Sequence, residues 1–468
     1  MGYSVHLSTE RDVSAFGKRF DNDFWIRRME PFFSPLTGII NYYYVSEVGP
    51  EEPQLFFSSA RLHRMSYNLG IPFDPQVGGI GETAEQAFLS ACGEALERYA
   101  SSVVPVSRLV FASYQDLVAR GESAIHPDLF GLFAPFQYEQ ANFAYEPFRE
   151  DSPVRWVKGN FLFSGEDVWV PAAFVYMPYM YEYGKETRIN HTTSTGLAFH
   201  FDPATAWKIG LCEVIERDAF SIVWWTKIVP DEVDLASVGD QKIRRFLDEK
   251  FGYLRDKVRV FQLPTDTGFF VFLGLIEEDE NRAHMADVPA LCMGAAAGLD
   301  AETALYKVLL EVVQTWKFAV YLKRQNEMRE SKKVFTGNWN EEVLDFTDGV
   351  LLYSYPQFKE GVNFLKKGKR ISFGEVKKKG GFSSLSEAIA SLHEQGFDPV
   401  VVDITPEDIR DGGGYVSRVV IPGMVSLNGA HRYRFWGGKR LFSFPKKMGL
   451  KDHELTIDEL NPYPHPFP

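Results

Sequence analysis

Polar residues recur every third or fourth position after Thr83: Ser90, Glu94, Glu97 and Ser101 share one helical stripe, while Phe88, Ala91, Cys92, Ala95, Leu96 and Tyr99 fall on the opposite side. That period predicts an amphipathic helix with one face in a core and the other available to line a cleft. Thr83 and Gln86 have the spacing of a capping box, and the glycines of Gly78-Gly79-Ile80-Gly81 just before them are of the kind that cradles phosphate at a helix N-terminus. A second helix is announced by Asp202-Pro203, an N-cap acid with proline at the first helical position, and extends through Phe220 to the core aromatics Trp224-Trp225. A third follows Asp300 as its cap and carries Lys307, Glu311 and Gln314. Runs rich in β-branched and aromatic residues predict strands at 39–45, 258–261, 269–273 and 399–403. Helices and strands intermingle, so the fold class is α/β or α+β.

One pentapeptide pattern occurs in both of the first two helices, Glu94-Ala95-Leu96-Glu97-Arg98 and Glu213-Val214-Ile215-Glu216-Arg217. Residues three apart share a helical face, so each copy sets two carboxylates side by side with an arginine at the flank. A single copy is ordinary helical sequence. Its recurrence between small or apolar flanks, Ser90-Ala91-Cys92-Gly93 and Gly210-Leu211-Cys212, points instead to one site built from two helices. Grouped carboxylates repel one another and are costly to bury unpaired. A hard divalent cation neutralises them, and Mg²⁺ takes oxygen ligands while keeping waters and a substrate phosphate. The pattern therefore points to a metal–nucleotide site. No Walker A motif occurs in the chain, so the nucleotide is held by another architecture. Lys307 and Glu311 alone read as an intrahelical ion pair.

The 468 residues suffice for a sizeable core, and 45% hydrophobic with 24% charged is ordinary for a globular protein. A net charge of −13 and a pI near 5.4 argue against a nucleic-acid surface. Cys92, Cys212 and Cys292 are widely spaced, which supports neither a zinc site nor a disulfide framework; each reads as a small buried hydrophobe. A basic n-region, an apolar h-region and membrane-length apolar runs are all missing, so a cytoplasmic location without membrane contact is expected. The lysine-rich stretch 366–379 reads as a solvated loop. The ending Pro462-Tyr463-Pro464-His465-Pro466-Phe467-Pro468 is expected to be a stiff polyproline II rod.

Ser90-x-x-x-Glu94-x-x-Glu97-Arg98, Thr195-Gly196-Leu197-Ala198 leading to Gly210 through Ala219, Glu311-x-x-Gln314 and Pro464-x-Pro466-x-Pro468 occur in this order. From about Phe32 onward the chain resembles the YcaO family, and more narrowly the azoline-forming cyclodehydratase subunits, or D proteins, of thiazole/oxazole-modified microcin biosynthesis. The resemblance implies a YcaO-like fold of mixed sheets and helices with a non-P-loop ATP site between helices. It implies an N-terminal lobe at 1–75, an ATP-binding catalytic domain at 76–435 and a C-terminal segment at 436–468. The implied reaction converts Cys, Ser or Thr of a ribosomal precursor peptide to a thiazoline or (methyl)oxazoline. The side chain attacks the preceding amide carbonyl, the oxyanion takes the γ-phosphate of ATP, and phosphate leaves.

By the same resemblance Glu94, Glu97, Glu213 and Glu216 bind Mg²⁺, and Ser90, Arg98, Arg217, Lys307, Glu311 and Gln314 join them in holding ATP. Pro464, Pro466 and Pro468 bring the tail to the reacting amide. Lys307 stands where an arginine is expected, and Thr205 where some members supply another metal-binding glutamate. The implied partners are the precursor peptide, a separate leader-binding or E1-like protein, a flavin-dependent azoline oxidase and a second copy of the chain. Thioamide formation, macroamidine formation or a non-catalytic scaffold are the alternatives.

Overall fold

Each predicted cap opens a helix. The computed structural model, which describes residues 23–34, 37–46, 48–49, 52–63, 65–68, 75–285 and 287–467, has α1 at Ala84–Ser102, α2 at Pro203–Thr226 and α3 at Ala301–Met328. Thr83 Oγ1 accepts from the Gln86 N–H at 3.3 Å, Asp202 Oδ2 from the Thr205 N–H at 2.9 Å and Asp300 Oδ1 from the Thr303 N–H at 2.8 Å. Each bond satisfies a donor that the start of a helix leaves without an intrahelical partner. The box expected at Thr83 is half made, because Gln86 Oε1 accepts from the Glu82 N–H, 2.9 Å away.

The strands among the described residues are β1 (Ile40–Val45), β2 (Phe56–Leu62), β3 (Gln76–Gly81), β4 (Val110–Ala112), β5 (Val154–Phe161), β6 (Asp167–Pro171), β7 (Leu197–His200), β8 (Asp231–Asp234), β9 (Val258–Gln262), β10 (Phe270–Glu277), β11 (Leu291–Gly298), β12 (Arg370–Ser372), β13 (Val400–Asp403) and β14 (Tyr415–Val420). The four predicted strands are β1, β9, β10 and β13. Helices and strands mix throughout, so the α/β (α+β) expectation holds. The chain forms two compact units. One comprises Met1–Ala124, Ser152–Leu211 and Val400–Val420, the other Ile125–Asp151, Cys212–Pro399 and Ile421–Pro468, and the sequence of α2 passes from the first to the second after Leu211.

The first unit contains the antiparallel sheet β1-β2-β3 and a sheet in the order β4-β5-β13-β14-β7, with β6 also on β5. Ala87, Ala91, Cys92, Ala95 and Leu96 form the buried face of α1. A Cβ on Gly79 would lie 2.3 Å from the Ala91 nitrogen and one on Gly81 2.6 Å from the Ala87 nitrogen. The Gly78–Gly81 stretch is thus part of a strand, not the phosphate-cradling loop its glycines suggested. Glycine serves here to let a helix backbone close onto a sheet.

In the second unit the order is β11-β10-β9-β8-β12, antiparallel except for the parallel β8/β12 pair. β10 and β11 pair from Phe270↔Gly298 to Glu277↔Leu291. Both are buried along almost their whole length, as strands covered on both faces are. Gly294 of β11 repeats the device of Gly79, since a Cβ there would come within 2.6 Å of the Val312 nitrogen in α3. Gly294→Ala is expected to cost about 1–3 kcal/mol of stability in urea unfolding, whereas Gly239→Ala, with nothing within 4 Å, should stay within about 0.5 kcal/mol of wild type.

The basic stretch is balanced locally: Lys366 pairs with Glu277, Arg370 with Asp234, Lys377 with Glu302 and Lys379 with Asp231. All three cysteines are free and buried. Among the described residues no helix is long and apolar enough to cross a membrane.

Candidate functional site

In the first unit, strand backbone fixes both carboxylates of the first pentapeptide. Glu94 Oε2 accepts from the Gly78 N–H of β3 at 3.1 Å, and its Oε1 accepts from Arg98 Nη2 at 2.8 Å. Glu97 Oε1 accepts from the Phe199 N–H of β7 at 3.0 Å. Bonds to an ionised acceptor are among the stronger ones, so these contacts orient the pair. Ser90 is exposed on the same helix. Ser101 departs from the expected stripe: it is buried and donates to the carbonyls of Arg98 and Met177 at 3.0 Å each. Tyr99, expected in the core, is half-buried and donates to Asp408.

In the second unit, Arg217 Nη2 lies 3.7 Å from Glu213 and its Nε 3.4 Å from Glu216. Glu216 is only 9% exposed. Burial pushes its carboxyl up to about 8; Arg217 opposes the rise, Glu213 and Glu311 add to it, and Lys307 opposes it. The charges of α2 and α3 therefore act on one another. Lys307, Glu311 and Gln314 follow the i, i+4, i+7 spacing of one α3 face, the first two exposed and the third half-buried. Thr205 is occupied at the start of α2, where its hydroxyl donates to Asp202 at 2.6 Å.

The proline-rich tail is anchored within the second unit. Pro464, His465, Pro466 and Phe467 are buried, while Pro468 lies outside the described residues. Trp224 Nε1 donates to the Tyr463 carbonyl at 3.1 Å and the Tyr353 hydroxyl to the Pro464 carbonyl at 2.8 Å. The Phe467 ring lies 4.5 Å from that of Phe220 and under the Arg217 guanidinium at 4.2 Å. The tail thus touches the arginine of the second pentapeptide. Tyr353→Phe leaves the Pro464 carbonyl without this donor and is expected to cost about 1 kcal/mol, read by denaturant unfolding.

A charge network that local sequence did not signal stands next to Arg217. Arg440 donates to both oxygens of Asp218, at 2.8 and 2.7 Å, and to both of Asp266, at 3.0 and 2.7 Å. Asp218 also accepts from the Val425 N–H at 2.8 Å. Burial acts to raise Asp266, but Arg440 and Lys447 outweigh it and hold that carboxyl at about 2.

The donor set suits a hard cation. Every acid in the two pentapeptides offers carboxylate oxygen, and Glu216 is a buried carboxyl whose ionised form a cation would favour. Among the described residues no three His, Cys, Asp or Glu side chains are already grouped as a ligand set; the carboxylates face arginines and backbone N–H groups.

Comparison with known proteins bears on the chain as a whole. An uncharacterized protein of Methanothermobacter thermautotrophicus is 28% identical over 357 residues, covering 74% of this chain and 80% of that one. A structure described as a heterocyclase in complex with substrate and cofactor superposes with a TM-score of 0.73 at 21% identity, covering 99% of this chain; this chain spans 59% of that one. YcaO from Methanopyrus kandleri, bound with AMPPCP and Mg²⁺, gives a TM-score of 0.56 at 20% identity over 86% of this chain and 89% of its own. The structural likenesses establish the fold. Residues 78–425 match the family model described as YcaO cyclodehydratase, ATP- and Mg²⁺-binding, and a match over that much of the chain shows that it belongs to the YcaO family of ATP- and Mg²⁺-binding cyclodehydratases.

Proposed function

We propose that this chain is an ATP-dependent peptide cyclodehydratase that converts Cys, Ser or Thr of a ribosomal precursor peptide to thiazoline or (methyl)oxazoline, as in thiazole/oxazole-modified microcin pathways. The observation that carries the reading is the repeated Glu-x-x-Glu-Arg within a matched ATP- and Mg²⁺-binding domain. Its second copy includes a buried glutamate under the electrostatic influence of Glu213, Glu311 and Lys307.

Glu94, Glu97, Glu213 and Glu216 would hold Mg²⁺, with Arg98 and Arg217 exchanging carboxylate for phosphate contacts, a task suited to the guanidinium fork. Ser90, Lys307, Glu311 and Gln314 would complete the nucleotide contacts. Bound ATP supplies the phosphoryl group that turns an amide oxygen into a leaving group. The buried Pro464 and Pro466 would keep the tail fixed beside Arg217, and Pro468 would follow them toward the reacting amide. The reading includes a separate leader-binding or E1-like partner, a flavin-dependent azoline oxidase, a second copy of the chain and a cytoplasmic setting. Free buried thiols suit a reducing compartment.

The test is reconstitution with a precursor peptide and partner protein, read by mass spectrometry. Loss of one water per modified residue, dependent on ATP and abolished by Glu94→Gln, is expected. Unmodified peptide with wild-type protein and a complete partner set would overturn the assignment.

A further inference from the structure

The only run of three glycines in the chain, Gly412-Gly413-Gly414, lies in the connection between β13 and β14 of the first unit. Consecutive glycines cost conformational entropy on folding, so the run calls for a structural reason. A Cβ on Gly412 would stand 2.5 Å from the ring of Phe32, and one on Gly414 would stand 2.6 Å from Cε2 of Phe199. The two rings are 1% and 6% exposed and meet edge to face with centroids 6.2 Å apart. The backbone of the turn therefore lies directly against both rings, an approach that leaves no room for a side chain.

The Phe199 ring also reaches α1. Its Cδ1 comes 3.8 Å from the place a Cβ on Gly93 would take, and Gly93 stands four residues before Glu97, on the same helical face. Phe199 belongs to β7, the edge strand of its sheet, where it lies opposite Val416 of β14. Its N–H goes to Glu97 Oε1 at 3.0 Å. One residue thus meets α1 at two levels a turn apart, with its ring at Gly93 and its backbone N–H at Glu97. Fixing the ring fixes the strand, and with it the donor that orients the carboxylate. Partners that orient metal ligands in this way govern metal affinity without touching the ion.

We infer that Phe199, clamped by the glycine turn, is a positioning residue for Glu97: its ring sets β7 against α1 so that its N–H holds the carboxylate ready for Mg²⁺. The inference rests on the reading of Glu97 as a metal ligand and adds the brace behind it, formed by Phe32, Phe199 and Gly412–Gly414.

The experiment is calorimetric titration of the full chain with a non-hydrolysable ATP analogue at several Mg²⁺ concentrations. Gly414→Ala drives a methyl group into the Phe199 ring and should weaken Mg²⁺-dependent binding by about 10–100-fold. Phe199→Leu lacks the atom that this methyl group meets. Alone it should weaken binding severalfold, and combined with Gly414→Ala it should recover most of the affinity lost in Gly414→Ala, a rescue that general destabilisation does not produce. Wild-type affinity in folded Gly414→Ala, or a double variant no better than Gly414→Ala, would overturn the brace. If Gly414→Ala does not fold, wild-type affinity in Phe199→Leu overturns it instead. Glu97→Gln, titrated alongside, separates the two readings. Its loss of binding beside an unaffected Gly414→Ala removes only the brace, whereas wild-type binding by Glu97→Gln removes the metal assignment and the brace with it.

Discussion

Glu216→Gln is expected to have two opposite effects, stabilising the metal-free fold while destroying nucleotide binding. The Glu216 carboxyl moves from an ordinary 4.5 to about 8 on folding, chiefly through burial. A carboxyl raised in the folded state is most favourable below its unfolded value, and its contribution is lost as pH rises through the folded one. Metal-free wild type should therefore lose stability relative to Glu216→Gln between pH 4.5 and about 8, by on the order of a few kcal/mol. Adding Mg²⁺ and nucleotide should reverse the order, because ligands that bind only the folded state stabilise it. Neighbours that merely orient metal ligands are worth 10–100-fold in affinity, so loss of a ligand itself should weaken Mg²⁺-dependent nucleotide binding at least about 100-fold. Thermal unfolding across pH, with and without Mg²⁺-ATP, reads both effects. Identical pH curves for wild type and variant would remove Glu216 from its assigned place.

Arg440→Met should be among the most destabilising single substitutions in the second unit. It strips a forked guanidinium from Asp218 and Asp266, whose side chains are 1% and 6% exposed. Removing one member of a buried ion network leaves the others uncompensated, at about 3–5 kcal/mol. Asp266 is held at about 2 against an ordinary 3.8. A carboxyl lowered on folding contributes its stability above the unfolded value and loses it as pH falls through the folded one, so wild type should surrender this contribution between pH 3.8 and about 2. Arg440→Met should show a flatter acid limb. Arg440→Lys, which lacks the fork, should fall between the two in urea unfolding. A midpoint for Arg440→Met within experimental scatter of wild type would show that the network carries no net stability.

What was legible in the sequence follows the range of the interaction concerned. Caps act over three residues, and Thr83, Asp202 and Asp300 each marked a real helix start. Strands β1, β9, β10 and β13 were readable because branched and aromatic residues cluster in them. The Gly78–Gly81 stretch misled because glycine serves turns, phosphate loops and close helix–sheet contacts alike; the contact with Ala87 and Ala91 that decides among these is tertiary. Ser101 and Tyr99 departed from the α1 stripe for partners in Met177 and Asp408, far along the chain. The place where the tail docks could not be read locally, because its anchors Trp224 and Tyr353 lie more than a hundred residues upstream. Arg440 was invisible for the same reason: Asp218 and Asp266 precede it by 222 and 174 positions. The acidic pentapeptides were conspicuous because repetition is a property of the chain itself. The hydrogen bonds of the first of them to β3 and β7 had to come from the fold.

The most direct measurement is calorimetric titration of wild type and Glu213→Gln with ATP, with and without Mg²⁺. Glu213 flanks Glu216 on α2 and shares Arg217 with it. Saturable, Mg²⁺-dependent binding by wild type and its loss in the folded variant are expected. Equal Mg²⁺-dependent binding by both proteins would contradict the assignment of the paired glutamates to the nucleotide's metal.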